Sequence, residues 1–181
     1  MPTARAARQA PAPPGKLRPP QLGRVFSRDR LFAELDTHAA TPGLWVAGPP
    51  GIGKTTLVAT YLQARTLPCL DLPWALVLDN IQEIGATSGV HAGIAAALAE
   101  LPDRARVIAI SREPPPDAYA RALANQQLAL IEERPLRFDD DDAGRLVALH
   151  GRDWQAAELL RVTDGWAAAM ILLLATRSEL S

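Results

Sequence analysis

Gly48-Pro49-Pro50-Gly51-Ile52-Gly53-Lys54-Thr55 is the stretch on which the reading of this chain turns. It follows the pattern G-x-x-x-x-G-K-T, a spacing suited to holding phosphate. Glycines let the backbone turn its amides inward around phosphate oxygens, because no Cβ blocks positive φ. Lys54 is expected to reach the β- and γ-phosphates of a nucleotide, and the Thr55 hydroxyl to ligate Mg²⁺. A helix starting at the loop would aim its positive dipole end at the same anions. The candidate binding residues are therefore Gly48, Pro49, Pro50, Gly51, Ile52, Gly53, Lys54, Thr55 and Thr56.

The flanks agree with the motif. Leu44-Trp45-Val46-Ala47 is a short apolar run bounded by Pro42-Gly43, which suits a buried strand. Behind the loop, Thr56 to Leu62 carries apolar residues at helical spacing, and the helix is expected to end near Arg65. Strand, loop and helix thus follow in the required order. The chain has only two lysines, Lys16 and Lys54, among 19 basic residues. Where arginine is nearly always used, a lysine in this slot points to a need for a compact ammonium.

Composition bounds the rest. The 181 residues suit one domain with a small appendage, and 48% hydrophobic residues suffice for a core. A net charge of −1 makes no whole-chain case for nucleic acid or membrane. The lone Cys69 rules out an intrachain disulfide and fits a reducing cytosol. No secretory signal is visible, and the longest apolar run, Trp166 to Ala175, is about half of what a membrane span needs. A soluble, cytoplasmic protein without membrane contact is expected.

Residues 1–22 are Pro-rich and basic, and are expected to form a disordered tail. Val25 to Leu35 reads as a helix capped by Ser27, with Leu31, Phe32 and Leu35 on its apolar face. Trp74 to Leu78 reads as a second buried strand, tipped by Asp79. An apolar strand ending in an acid at this distance from the loop is a Walker B pattern, in which the carboxylate holds Mg²⁺ directly or through water. Many related ATPases place a second acid next, to orient or deprotonate the attacking water. Asn80 stands there and cannot act as a base, and Glu83, three residues past the strand end, need not face the phosphates. Binding is therefore better supported than hydrolysis.

Val90 to Leu101 reads as a helix broken by Pro102-Asp103, and Arg106 to Arg112 as a third strand. Arg112 is placed to touch the terminal phosphate and report its presence, the plainer alternative being a surface salt bridge. A helix over Asp117 to Ala124 and a strand over Leu128 to Ile131 follow. From Pro135 onward only helices are expected. The acid run Asp139 to Asp142 sits just before one of them, where one carboxylate caps free amides and the others meet the positive dipole end. His38, His91 and His150 stand singly, without ligand spacing. The domains expected are residues 1–22 as tail, 23–134 as a nucleotide-binding domain and 135–181 as a helical lid. The fold class expected is α/β: a P-loop nucleotide triphosphatase three-layer sandwich, with a mostly parallel four-stranded sheet followed by the small lid.

The order of motifs resembles the large ATP-dependent LuxR-family transcriptional regulators, within the STAND class of signalling ATPases. The residues that carry the resemblance are Lys16 to Pro20, Val25 with Arg28 to Leu31, and the Gly48–Thr55 loop. They continue with Leu76 to Asp79, Ile110-Ser111-Arg112 and Asp164-Gly165-Trp166-Ala167-Ala168. The resemblance implies an ATP/ADP switch with Mg²⁺, self-association in the ATP-bound form, and DNA contact only through regions that this chain does not contain. It implies that Asp79 and Arg112 act at the phosphates, Arg112 as a sensor, that Arg28 joins the nucleotide contacts, and that Gly165-Trp166 belongs to the lid. Two departures are visible. Asn80 replaces the second acid, and only 25 positions separate Lys54 from Asp79, where the family fits a further strand and helix. In the family's strand order, 5-1-4-3-2, the missing strand is an edge, so four strands can still form one sheet. Residues 66–73 can extend about 26 Å, against about 10 Å to cross two strands. The Walker B strand would then be an uncovered edge, with Thr66 to Leu70 as a remnant that pairs on it.

Two other functions stay open at this stage. One is a small P-loop kinase or phosphotransferase, against which Arg145, Arg152 and Arg161 are spread over helices without clustering. The other is a degenerate fragment acting only through protein contacts.

Overall fold

A computed structural model describes residues 22, 25–65, 74–103, 105–150 and 154–176. The Pro-rich tail, Cys69 and the pairing expected of Thr66 to Leu70 lie outside them. Within them the chain forms α1 (Asp29–Thr37), β1 (Gly43–Ala47), α2 (Lys54–Arg65), β2 (Trp74–Asp79), α3 (Gly89–Leu98) and β3 (Ala105–Ser111). It continues with α4 (Ala120–Ala124), β4 (Leu128–Ile131), α5 (Glu133–Leu136), α6 (Asp140–His150), α7 (Ala156–Thr163) and α8 (Ala167–Thr176). Short 3₁₀ turns cover Ile81–Glu83 and Asp117–Tyr119.

The four strands form one sheet in the order β2-β3-β1-β4, and every pairing is parallel. This is the order expected of a five-stranded sheet that lacks its outer strand. Side chains alternate across the sheet, as the strand period requires. Leu44 and Val46 of β1, Ile108 and Ile110 of β3 and Ile131 of β4 share one face with α1 and α2. Trp45 and Ala47, Val107 and Ala109, and Leu128 share the other with α3 and α4. A central strand covered on both faces must be apolar at every position, which is why β1 and β3 read as continuous hydrophobic runs.

β2 lies at the sheet edge, as the missing strand implied, but it is not the buried strand that its apolar run suggested: Trp74, Leu76 and Val77 are exposed. An apolar run reports strand propensity but not whether a neighbour covers it. The Ser27 cap is also corrected. α1 starts at Asp29 with Arg28 at the N-cap position and no side-chain cap; the Ser27 carbonyl instead accepts from Arg145 Nη1 at 3.0 Å.

Beyond β4 the chain is helical, and α5 straddles the expected boundary between residues 134 and 135. Ala143, Leu146, Leu159, Met170 and Leu174 form a separate small core, joined by Phe26 from ahead of α1 and by Phe138. No helix among the described residues is long and apolar enough to cross a membrane.

Candidate functional site

The loop of residues 48–53 leaves the C-terminal end of β1 and feeds directly into α2. Gly51 (φ 77°) and Gly53 (φ 95°) sit in the left-handed region, where a side chain would be strained. Within α2 the first ladder bond runs from the Leu57 amide to the Gly53 carbonyl, at 2.8 Å. The amides of Lys54, Thr55 and Thr56 therefore lack an acceptor in the helix, and they stand at its positive end. The Lys54 ammonium is buried and folds back on its own loop, donating to Gly48 O at 2.6 Å and Pro49 O at 3.0 Å. Burial pushes its pKa down and the nearby Arg112 charge adds to this, while Asp79 acts the other way.

Across the cleft, the Thr55 hydroxyl donates to Asp79 Oδ2 at 3.0 Å. Sequence reading chose this pair as metal ligands from separate motifs, and the fold brings them together. Their oxygens are hard donors of the kind Mg²⁺ takes, and a site with one or two protein ligands suits an ion that keeps several waters. The residues present thus fit the metal. Among the described residues no group of three or more His, Cys, Asp or Glu side chains converges, so the Asp139–Asp142 run offers no rival site.

Lys54, Thr55 and Asp79 share a cleft of ≈ 280 Å³ with Pro50, Gly51, Gly53, Thr56, Asn80 and Arg112. Arg112 lies just past the end of β3, and among the described residues its guanidinium forms no ion pair. Glu83 does not line the cleft, whose only carboxylate among the described residues is Asp79. Asn80 adopts a left-handed conformation (φ 58°, ψ 39°), which asparagine tolerates better than most residues. Ile52 does not line the cleft; its side chain is buried in the core beneath the loop.

α8 and the residue just before it bear on the site. The Trp166 indole N–H donates to Pro50 O at 3.0 Å, and the Ala168 amide to Gly51 O at 2.9 Å. A Cβ on Gly51 would come within 2.7 Å of the Ala168 Cβ, so this glycine is needed for close approach as well as for φ. Arg28 lies elsewhere. Its guanidinium is buried against Asp142 Oδ2 (2.7 Å), Leu136 O and Arg137 O, and it stacks over Phe138 at 4.3 Å. Desolvation lowers its pKa, against the opposing pull of Asp142. Arg28 also borders a second hollow, apolar and of ≈ 90 Å³, lined by Val25, Phe26, Phe138, Leu146, Ala167 and Ile171. Gly53 and Thr56 line both hollows, so the two meet at the start of α2.

Sequence reading missed two residues here. Asp142 was taken as one acid of a dipole-facing run, while it forms the buried partner of Arg28, 114 positions away. Asp139 does the expected capping, accepting the Asp142 amide at 2.9 Å. Gln82 was passed over, although it hydrogen-bonds both Asn80 and Arg112. The chain matches no known protein family and no curated protein.

Proposed function

We propose that this cleft is a Mg²⁺-nucleotide site of the P-loop type, and that the chain is an ATP/ADP-binding switch module with weak or no hydrolysis. One observation carries the reading: an ammonium, a hydroxyl, a carboxylate and a guanidinium that forms no ion pair among the described residues, from three separate elements, line one cleft at the open end of a helix. In this reading the amides at the start of α2 and Lys54 hold the phosphates, giving up the carbonyls of Gly48 and Pro49 for stronger anionic partners. Thr55 and Asp79 hold Mg²⁺, which when bound screens the charge between the phosphates. Arg112 meets the terminal phosphate. The apolar hollow beyond Gly53 and Thr56 offers surface for the base, with the segment ahead of α1 on one side and the lid on the other.

Hydrolysis needs a group to activate water, and the cleft has Asn80 where a second acid would stand. A slow ATPase at most is the consequence. The motif order supports assigning this switch to the STAND class, in a LuxR-type transcriptional regulator. Lid contacts to Pro50 and Gly51 supply a route by which loop and lid could respond together.

The test is Mg²⁺-dependent binding of ATP and ADP, by calorimetry, to this chain and to Lys54→Ala. Binding by the parent and its loss in the variant is expected. Equal binding by both, or by neither, defeats the reading; phosphate transfer to a metabolite would favour a kinase instead.

A further inference from the structure

β2 and β3 pair along their length, and their ladder ends at Asp79 opposite Ile110. Past that point one side chain among the described residues, that of Gln82, bridges the two strand ends. Gln82, half-buried in the 3₁₀ turn, accepts the Arg112 amide on Oε1 at 3.1 Å and donates from Nε2 to Asn80 Oδ1 at 3.2 Å. The Asn80 backbone N–H in turn donates to Asp79 Oδ1 at 2.8 Å. The Gln82 amide thus links the backbone of the cleft arginine to the side chain of Asn80, the residue whose backbone holds the carboxylate beside Thr55. A primary amide suits the position because it offers a donor and an acceptor at once.

The turn carrying Gln82 is braced from behind. His91 bonds Ile84 O through Nε2 and the Tyr119 hydroxyl through Nδ1, each at 3.2 Å. A carbonyl only accepts, so Nε2 bears the proton and Nδ1 accepts from Tyr119. The Tyr119 ring lies edge-on to Trp45 at 5.1 Å, and the Trp45 indole N–H donates to Glu113 O at 2.9 Å. A chain of contacts therefore runs from Ile84 around to Glu113, and Gln82 closes it on the side of Asn80 and Arg112. With the back of the turn braced, Gln82 is the side chain that bridges Asn80 and Arg112 on the cleft side.

We propose that Gln82 is a positioning residue that couples Arg112 to the Asp79–Asn80 strand end, so that discrimination between nucleoside triphosphate and diphosphate depends on it. The proposal rests on the nucleotide reading above. An Arg112 engaged by a terminal phosphate carries its own amide with it, and the Gln82 amide passes that constraint to Asn80 and Asp79. A diphosphate leaves Arg112 unengaged and is indifferent to the link.

Calorimetry with Mg²⁺-ATP and Mg²⁺-ADP on the parent, Gln82→Met, Arg112→Ala and the double variant tests it, with thermal unfolding of each protein alone. Gln82→Met is expected to keep the melting temperature and ADP affinity, and to cut the preference for ATP over ADP by about three- to tenfold, the scale of one or two hydrogen bonds. In the Arg112→Ala background it should add nothing further. Gln82→Glu, which keeps the acceptor for the Arg112 amide but has no donor for Asn80 Oδ1, should lose the preference at least as fully as Gln82→Met. An equal fall in both affinities, a fall in melting temperature alone, or additivity with Arg112→Ala overturns the proposal and leaves a structural role. If the parent binds nucleotide and the ratio does not move, this proposal fails by itself; if the parent binds neither nucleotide, the nucleotide reading fails with it.

Discussion

The Thr55 hydroxyl donates to Asp79 Oδ2 across 3.0 Å, joining the first turn of α2 to the tip of an edge strand two positions away in the sheet. With Mg²⁺ bound, both oxygens would turn to the metal. Thr55→Val, which keeps the shape and removes the oxygen, should weaken Mg²⁺-dependent ATP binding by about tenfold or more. Thr55→Ser should be nearly silent. Asp79→Asn should act like the valine variant, and all three should match the parent when EDTA is present. Calorimetry with and without Mg²⁺ reads this directly, and an effect of equal size in EDTA would remove the metal from the explanation.

Adjacent acids of α6 should differ widely in what their truncation costs. Asp142 is 7% exposed and holds the buried Arg28, whereas Asp141 is 73% exposed and pairs with Arg145 at the surface. Removing one partner of a buried pair leaves a desolvated charge, at a cost of about 3–5 kcal/mol. A surface pair contributes about 0–1 kcal/mol. Urea unfolding of Asp142→Ala and Asp141→Ala should separate accordingly. Similar midpoints would mean that the Arg28 pair does not hold lid to domain.

Asn80 combines a backbone role with a chemical absence. Its left-handed conformation costs an ordinary residue roughly 1–2 kcal/mol, so Asn80→Val should destabilise by about that much, and Asn80→Gly hardly at all. Asn80→Asp keeps a residue that tolerates the conformation and supplies the acid. The parent should release phosphate from ATP at below about 0.1 per minute, far under typical enzymes. The aspartate variant should be about 10²-fold faster, the usual scale of general-base assistance. A fast parent would show that Asn80 is no obstacle.

Both tyrosines of the chain should resist ionisation. Burial raises the Tyr119 phenol to about 12, and burial followed by the bond to Asp36 raises Tyr61. The unfolded chain ionises near 10, so it binds fewer protons than the native state between that pH and the native values. Stability is then complete below pH 10 and falls as pH rises through the native pKa values. From Tyr119 alone the loss over that window is about 2–3 kcal/mol. Absorbance at 295 nm should stay flat at pH 10 in the native protein and be half-developed in urea. A native rise at pH 10 would contradict the burial of both rings.

Much of this was written in the sequence, for identifiable reasons. β1, β3 and β4 fall within a residue of expectation because continuous apolar runs bounded by Gly, Pro or Asp have few other uses. That the loop and Asp79 meet at one cleft was legible because the pattern that picked them out fixes residue type and spacing. What escaped depended on distance or on neighbours. Nothing local distinguishes Asp142 from Asp141, since the partner of one lies 114 residues upstream. Gln82 looks like any polar residue in a turn until β3 places Arg112 beside it. Ser27 is a natural cap by type, yet Arg28 is drawn away toward Asp142 and the helix starts one residue later than that cap requires.

The strand bearing Asp79 has one neighbour in the sheet, β3, among the described residues, and much of its apolar surface faces water. Such an edge opens at lower free energy than the strands inside it, so its amides should exchange hydrogen ahead of those of β1 and β3. The carboxylate proposed to hold Mg²⁺ therefore rides on an edge of the sheet rather than on its interior. A ligand bridging Asp79 to Thr55 would fasten that strand to the body of the domain and slow its exchange by mass action. Occupancy of the cleft would then be reported at the sheet edge as a change in persistence rather than in shape.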